Sequence, residues 1–407
     1  MNEVTLPARA AAPLHLCYVL PPVERYSPQI GGAIATFTMQ QARRLEARGH
    51  KISIVAAHEG EGVYDVGDFY PLRGVTRESL SPLQRAISTR VRRRLGAYEW
   101  LYQEHYFAAL KRALPRIQPD AVLCFNDWQT PLLVGRLLPR ARLFLRLSNE
   151  CRTQFADVDR TIERCETIWA LSGYIRDWTG EHFPNSRAKM QVLANGADLD
   201  SFFPTDDHFA RVQVPASPLR CLFLSRLDLN KGPDLAADAV LALREQGLDV
   251  SLDIAGNIWF DKGQQTPPLA LELKEKAERS GGRWLGHVER AEVPRLVREH
   301  DVLLLPIRKP DPMTQVVFEA MASGLAVVSC SLGGVPEACG DAALWAEPNS
   351  AHSVATQLER LYRDRELLIQ MKERSLKRAH EMTWDRNARL FAAQLEGNAV
   401  KREVAKG

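Results

Sequence analysis

Two stretches in the second half of the chain gather residue types that handle anions and hydroxyls. In 225-SRLDLNKGPD-234, Arg226 and Lys231 stand on a loop just ahead of a helix whose start carries Pro233. The free N–H groups of a helix amino terminus attract negative charge, and two cations beside them make a seat for a diphosphate. In 311-DPMTQVVFEAMASG-324, Thr314 stands at the cap of a helix predicted from about Gln315 to Ser323, with Gly324 as its left-handed stop. Glu319 then lies one turn inside, on the face of Gln315 and roughly 6 Å along the axis from it. Phosphates meeting the amides at that helix start would place a ribose one turn down, beside Glu319. Asp311, just before the cap, would lie on the far side of the phosphates. The two acids would then grip the ends of one nucleotide sugar, Glu319 the ribose hydroxyls and Asp311 the sugar hydroxyls. Taken alone, each stretch also fits a blander reading: solvated cations, a helix-surface acid and a turn acid.

The first half offers a weaker signal. PPVERYSPQIGGAIATF ends in Gly31-Gly32 and opens a helix. It is not the dinucleotide G-x-G-x-x-G, which needs a tight turn directly after the strand. A glycine pair at a helix start lets backbone amides approach an anion or a sugar closely, and it also fits a plain turn.

These residues need rigid elements to hold them. Apolar runs alternate with helix-length amphipathic segments: LHLCYVL (14–20), KISIVAA (51–57), AVLCF (121–125), RLFLRL (142–147), TIWALS (167–172) and MQVLA (190–194), then LRCLFL (219–224), VSLDIAG (250–256), VLLLP (302–306), AVVSC (326–330) and AALWA (342–346). Helical stretches such as 33–49 and 233–247 separate many of them, each ending at a glycine. Strand and helix in alternation mean parallel sheets with right-handed crossovers. Periodicity lapses at 203-FPTDDHFARVQVPASP-218, so the fold class is α/β, with two Rossmann-like domains facing across a cleft.

The 407 residues suit two cores of about 200 residues each. Hydrophobic content of 45% and charged content of 25% are those of a soluble globular chain. No apolar run approaches the roughly 20 residues of a membrane helix. The amino terminus makes a poor signal peptide, and the seven cysteines, dispersed and partly in strand-like runs, read as core thiols of a reducing compartment. A cytoplasmic location is therefore expected. Net charge is only +3, yet 73–116 is basic and aromatic, with Arg92, Arg93 and Arg94 followed by Tyr98, Trp100, Tyr102, Tyr106 and Phe107. That block is either a solvated face or a peripheral contact with an anionic membrane or acceptor.

LSRLDLNKGPDLAADAV, followed by LLPIRKPDPMTQVVFEAMASGLAVVSCSLGGVPE, resembles the retaining GT-B glycosyltransferases of family 4, the group 1 glycosyl transferases. The likeness extends over most of the chain, through the Gly-Gly loop, 195-NGADLDSFFP-204, 285-LGHVERAEVPRLVREHDVLLLP-306 and the late MTWDRNARLFAAQL. It implies an acceptor-binding domain at 1–203, a nucleotide-sugar domain at 204–382 and a carboxyl-terminal helix within 383–407 that crosses back. It also implies transfer of a sugar from a UDP- or GDP-linked donor to a hydroxyl of a glycan, lipid-linked or small-molecule acceptor, with retention of configuration. By the family pattern Arg226 and Lys231 take the diphosphate and Glu319 the ribose. Asp311 with the amides near Met313 and Thr314 takes the donor sugar, Gln315, His287 and Val288 complete the donor side, and Gly32 approaches the phosphate from across the cleft, beside Gly31.

The chain departs from that pattern. Asp311 replaces the usual glutamate, and Thr314 after Met313 replaces a small residue after an aromatic. Where the first domain of the family often has histidines near the reacting sugar, the nearest matches are Asn126 in CFNDW and Ser148 in RLSNE, which with Gly31 are the acceptor-side candidates. In such a site the acceptor hydroxyl arrives on the face the diphosphate leaves, and passes its proton to a phosphate oxygen. Arg226, Lys231, Asp311 and the helix-start amides do the catalytic work. No metal and no cofactor is expected. The D-x-D sequences at Asp157–Asp159 and Asp198–Asp200 read as turn or cap residues, and no nucleic-acid partner is indicated. A sugar-nucleotide 2-epimerase would need acid and base groups in the cleft, and a non-catalytic relative would be expected to have lost Lys231 or Glu319.

Overall fold

The computed structural model describes residues 13–22, 24–75, 100–151, 153, 155, 157–214, 217–256 and 268–397. Most of the basic aromatic block, 76–99, lies outside them. Among the described residues the chain forms two parallel sheets. The first comprises β1 (His15–Val19), β2 (Lys51–Ala57), β3 (Asp68–Leu72), β4 (Ala121–Phe125), β5 (Arg142–Leu147), β6 (Thr167–Ala170) and β7 (Met190–Val192), in the order β3-β2-β1-β4-β5-β6-β7. The second comprises β8 (Leu219–Leu224), β9 (Val250–Ala255), β10 (Trp284–Gly286), β11 (Val302–Leu305), β12 (Ala326–Cys330) and β13 (Ala343–Ala346), in the order β10-β9-β8-β11-β12-β13. Both are doubly wound sheets in which the strand order reverses between the first and fourth strands, and ligands bind outside the carboxyl ends of the strands at that reversal. The loops that follow β1, β4, β8 and β11 carry Gly31-Gly32, Asn126, Arg226 with Lys231, and Asp311.

The central strands are apolar on both faces, as strands covered by helices on both sides must be. β4 and β12 are buried at every position. Two strands escape the periodicity reading. β3 reads Asp-Phe-Tyr-Pro-Leu, is mostly exposed or half-buried and holds Pro71, which an edge strand tolerates because one side needs no N–H donor. β10 spans three residues and ends at Gly286, whose φ is 60°. All seven cysteines are buried free thiols.

The helix Trp384–Leu395 packs on the first sheet after the chain has completed the second. Phe391 meets Phe144 and Trp169 with ring centroids 5.7 and 6.1 Å apart, and Trp384 meets Phe37 edge-on at 5.8 Å. Polar bonds lock the crossing: Gln41 Nε2 donates to Asn387 Oδ1 at 2.7 Å, and Asn387 Nδ2 donates to the Ala194 carbonyl at 2.6 Å. The domains also touch directly. Glu337 accepts from the amides of Gly173 and Tyr174, at 2.6 and 2.8 Å, at the start of the helix Gly173–His182.

Candidate active site

The loop after β8 is built to hold Lys231 in one place. Asp228 caps the short turn Leu229–Lys231 by accepting from the Asn230 amide at 2.8 Å. Gly232 follows with φ 73°, and a Cβ there would lie 2.1 Å from the Pro306 carbonyl oxygen, so conformation and space both demand glycine. Pro233 then opens the helix Pro233–Glu245 at the position where a missing N–H costs nothing. Arg308 ties this loop to the one after β11, with Nη1 and Nη2 donating to the two Asp234 oxygens at 2.7 and 2.5 Å. Arg226 stands exposed at the loop's beginning.

The loop after β11 brings Asp311 to Lys231. The two form a short ion pair with both side chains largely buried. The other Asp311 oxygen accepts from the Met313 amide at 3.0 Å, and its main chain is fixed by Gly334 N donating to the Asp311 carbonyl at 2.7 Å. One detail differs from the sequence expectation. The Met313 amide, assigned to a donor sugar, is bound to Asp311 itself, because the turn closes on its own acid. Met313 has φ 157°, a backbone angle rarely adopted by side-chain-bearing residues.

Thr314 does occupy the cap position of the helix Gln315–Ala322, with extended backbone, but its hydroxyl makes no capping bond. The amides of the first turn are therefore left to other partners. Gln315 Nε2 turns the other way and donates to the Gly196 carbonyl at 3.0 Å, tying the helix to the last segment of the first domain.

Glu319 is not a surface acid. It is 3% exposed, and Arg290 Nη2 lies 2.7 Å from its Oε1, yet that oxygen accepts no hydrogen bond: the pair is close but poorly aligned. Arg290 also lies over the Phe202 ring at 5.4 Å, and the nearby Glu319 carboxylate holds its guanidinium pKa above the ordinary arginine value. A buried carboxylate oxygen beside a cation but lacking a hydroxyl or amide donor suits a ribose diol. Sequence reasoning missed Arg290, because an arginine in a charged loop (285-LGHVERAEVP) carries no spacing signal. His287 is exposed, 3.7 Å from Glu289, and Val288 rests half-buried on the second core.

Arg290→Met removes the one cation paired with Glu319 among the described residues. Breaking a buried pair from one side costs several kcal/mol, and the partial exposure of Arg290 reduces this to about 1–2 kcal/mol. The melting temperature is expected to fall by a few degrees and nucleotide affinity about tenfold, with Arg290→Lys intermediate. Differential scanning fluorimetry with and without nucleotide measures both.

In the first domain the helix Ala33–Glu46 starts at Gly32 without a side-chain cap of its own. Glu24 supplies the missing acceptor: its Oε1 takes the amides of Gly32 and Ala35 at 2.8 and 2.9 Å. Burial lifts the Glu24 pKa against the pull of these two bonds. The Gly32 amide, expected to reach a phosphate, is thus occupied by a carboxylate. Gly31 is glycine for space, since a Cβ would lie 2.3 Å from the Ser27 carbonyl oxygen. Tyr64 lies between the halves, within electrostatic reach of both Glu24 and Arg290. Asn126 and Ser148 meet: Ser148 N donates to Asn126 Oδ1 at 2.6 Å. Of the D-x-D residues, Asp157 pairs with Arg160 at 3.2 Å, and Asp198 accepts from the distant Gln40 Nε2 and from Ser201 Oγ, both at 2.9 Å.

Two facing doubly wound domains with polar loops at both reversal points make the GT-B architecture. Solved structures share it over nearly the whole chain: a glycosyltransferase from Rickettsia africae, with a TM-score of 0.71 over 96% of this chain and 100% of that one, and Anabaena HepE in complex with UDP and glucose, with 0.68 over 94% and 99%, each 15% identical. The Glycosyltransferase Family 4 model matches residues 30–201 and the model of glycosyl transferases group 1 matches 218–364. The chain belongs to the group 1, family 4 glycosyltransferases. It is 23% identical to a D-inositol 3-phosphate glycosyltransferase of Jonesia denitrificans, covering 96% of this chain and 97% of that protein. It is 25% identical to spore coat protein SA of Bacillus subtilis, covering 59% and 67%.

Proposed function

We propose that the chain is a retaining glycosyltransferase that takes a sugar from a nucleotide diphosphate carrier and transfers it to an acceptor hydroxyl without a metal ion. The observation that carries the donor assignment is the convergence of Lys231, Asp311 and the uncapped helix 315–322 on one loop system, with Glu319 buried one turn further on and its Oε1 lacking a hydrogen-bond donor. A diphosphate at that helix start would meet the free amides and Lys231, with Arg226 at the loop's edge. The ribose diol would donate to Glu319. UDP is the favoured nucleotide, in line with the UDP held by Anabaena HepE.

As the glycosidic bond breaks, negative charge grows on the leaving diphosphate, where Lys231 and the helix amides stabilise it without rearranging. The acceptor oxygen approaches on the same face and passes its proton to that phosphate. No protein nucleophile is used in this scheme, because the acceptor oxygen itself forms the new bond on the leaving face, and no divalent cation, because positive charge is already built into the loop.

The experiment is turnover with UDP-glucose or GDP-mannose and a trial acceptor, or slow donor hydrolysis, in the presence of EDTA, with the anomeric configuration of the first-formed product read by proton NMR. Retention in EDTA supports the reading. Inversion, or activity abolished by EDTA and restored by magnesium, contradicts it.

A further inference from the structure

Arg146, at the carboxyl end of β5, is 1% exposed and makes no ion pair among the described residues. Its guanidinium lies over the Phe37 ring at 3.8 Å. Nη1 donates to Ser148 Oγ, and Nη2 to Asn195 Oδ1 at 2.9 Å and to the Leu193 carbonyl at 3.3 Å, while Nε has no partner. Burial alone, with no carboxylate opposing it, lowers its pKa to about 9. A buried cation without a counter-ion is expensive, and such charges are ordinarily paired.

The groups around it share one polarity. Ser148 Oγ accepts from Arg146, leaving its hydroxyl proton to donate outward. Asn126 Oδ1 accepts from the Ser148 amide and Asn195 Oδ1 from Arg146, leaving both amide nitrogens as donors. Asn126 sits at the turn with φ 51°, a conformation asparagine tolerates. The acids nearest in sequence face elsewhere: Asp127 caps Gln129 and Thr130, and Glu150 accepts from the Tyr174 hydroxyl. Asn126 and Ser148 are half-buried at the ligand-binding edge of the first sheet, so this edge offers hydrogen-bond donors over an uncompensated positive charge.

We infer that the first domain's cleft edge binds an oxyanion on the acceptor, a phosphate or carboxylate, through Asn126, Ser148 and Asn195, with Arg146 as the buried residue that positions them and supplies the charge. This rests on the reading of that domain as the acceptor side. The coupling to the donor half is direct, because Asn195 precedes Gly196, whose carbonyl is held by Gln315.

The test is thermal unfolding of the whole protein titrated with millimolar inorganic phosphate, against chloride at equal ionic strength, with and without saturating UDP. Phosphate is expected to raise the melting temperature saturably, and to do so also with UDP bound. Arg146→Met should weaken the half-saturation at least tenfold and Arg146→Lys much less. If Arg146→Met does not fold, the double variant Asn126→Leu with Ser148→Ala keeps the cation and removes donors, and should weaken it similarly. The inference is overturned if phosphate acts no better than chloride, if UDP abolishes its effect, which would mark the donor's phosphate seat, or if the folded variants respond like wild type. Failure of the donor reading would show separately, as no response to UDP itself, and the phosphate response of the Arg146 and Asn126–Ser148 variants without UDP would still decide.

Discussion

Lys231→Ala is expected to lower turnover by about 10²–10³ while the protein remains folded. One preorganised charge aimed at a developing oxyanion is worth about 3–4 kcal/mol when its site excludes water, and the Lys231 ammonium is nearly buried. The substitution has a second effect. Asp311, also largely buried, loses its cation, so the melting temperature should fall by a few degrees. Lys231→Ala with Asp311→Asn removes both charges and should recover part of that stability without recovering activity. That combination separates loss of a catalytic charge from damage to the loop. Steady-state kinetics beside thermal unfolding provides the readout, and near-normal turnover in Lys231→Ala would end the assignment.

Much of this site was legible from residue types and spacing. Alternating apolar runs located the interior strands because a strand covered on both faces has no choice but to be apolar. Pro233 announced the start of a helix, and Thr314 marked the cap position of the next one. What escaped depended on partners distant in sequence. The Lys231–Asp311 pair spans three crossovers, Glu24 reaches over its own loop to the Gly32 amide, and Arg290 meets Glu319 from a different loop. No periodicity encodes such contacts. β3 and β10 escaped for a local reason, since these edge strands are short and carry proline or glycine, which blurs their alternation. The Thr314 hydroxyl shows the same limit on a smaller scale: residue type places it at the helix start, but only its surroundings decide whether it bonds there.

The larger second effect concerns the two acids, which hold different parts of the donor and should fail differently. Glu319→Gln replaces a buried anion that would accept from both ribose hydroxyls, an interaction present before and during reaction, so nucleotide affinity should fall about 10–100-fold. It also leaves Arg290 without its carboxylate. Asp311→Asn frees Lys231 from its intramolecular partner while leaving it free to meet a diphosphate, so nucleotide affinity should hold. The loss should appear in turnover and in discrimination among donor sugars, because Asp311 would touch the ring that gains positive charge as the bond breaks.

Isothermal titration of UDP into wild type, Asp311→Asn and Glu319→Gln tests the donor site most directly, since it needs no acceptor. One binding site in wild type, near-equal affinity in Asp311→Asn and a loss of at least about tenfold in Glu319→Gln is the predicted pattern. Equal affinities in all three proteins, or equal losses in both variants, would contradict the placing of a nucleotide along the helix from Thr314 to Glu319.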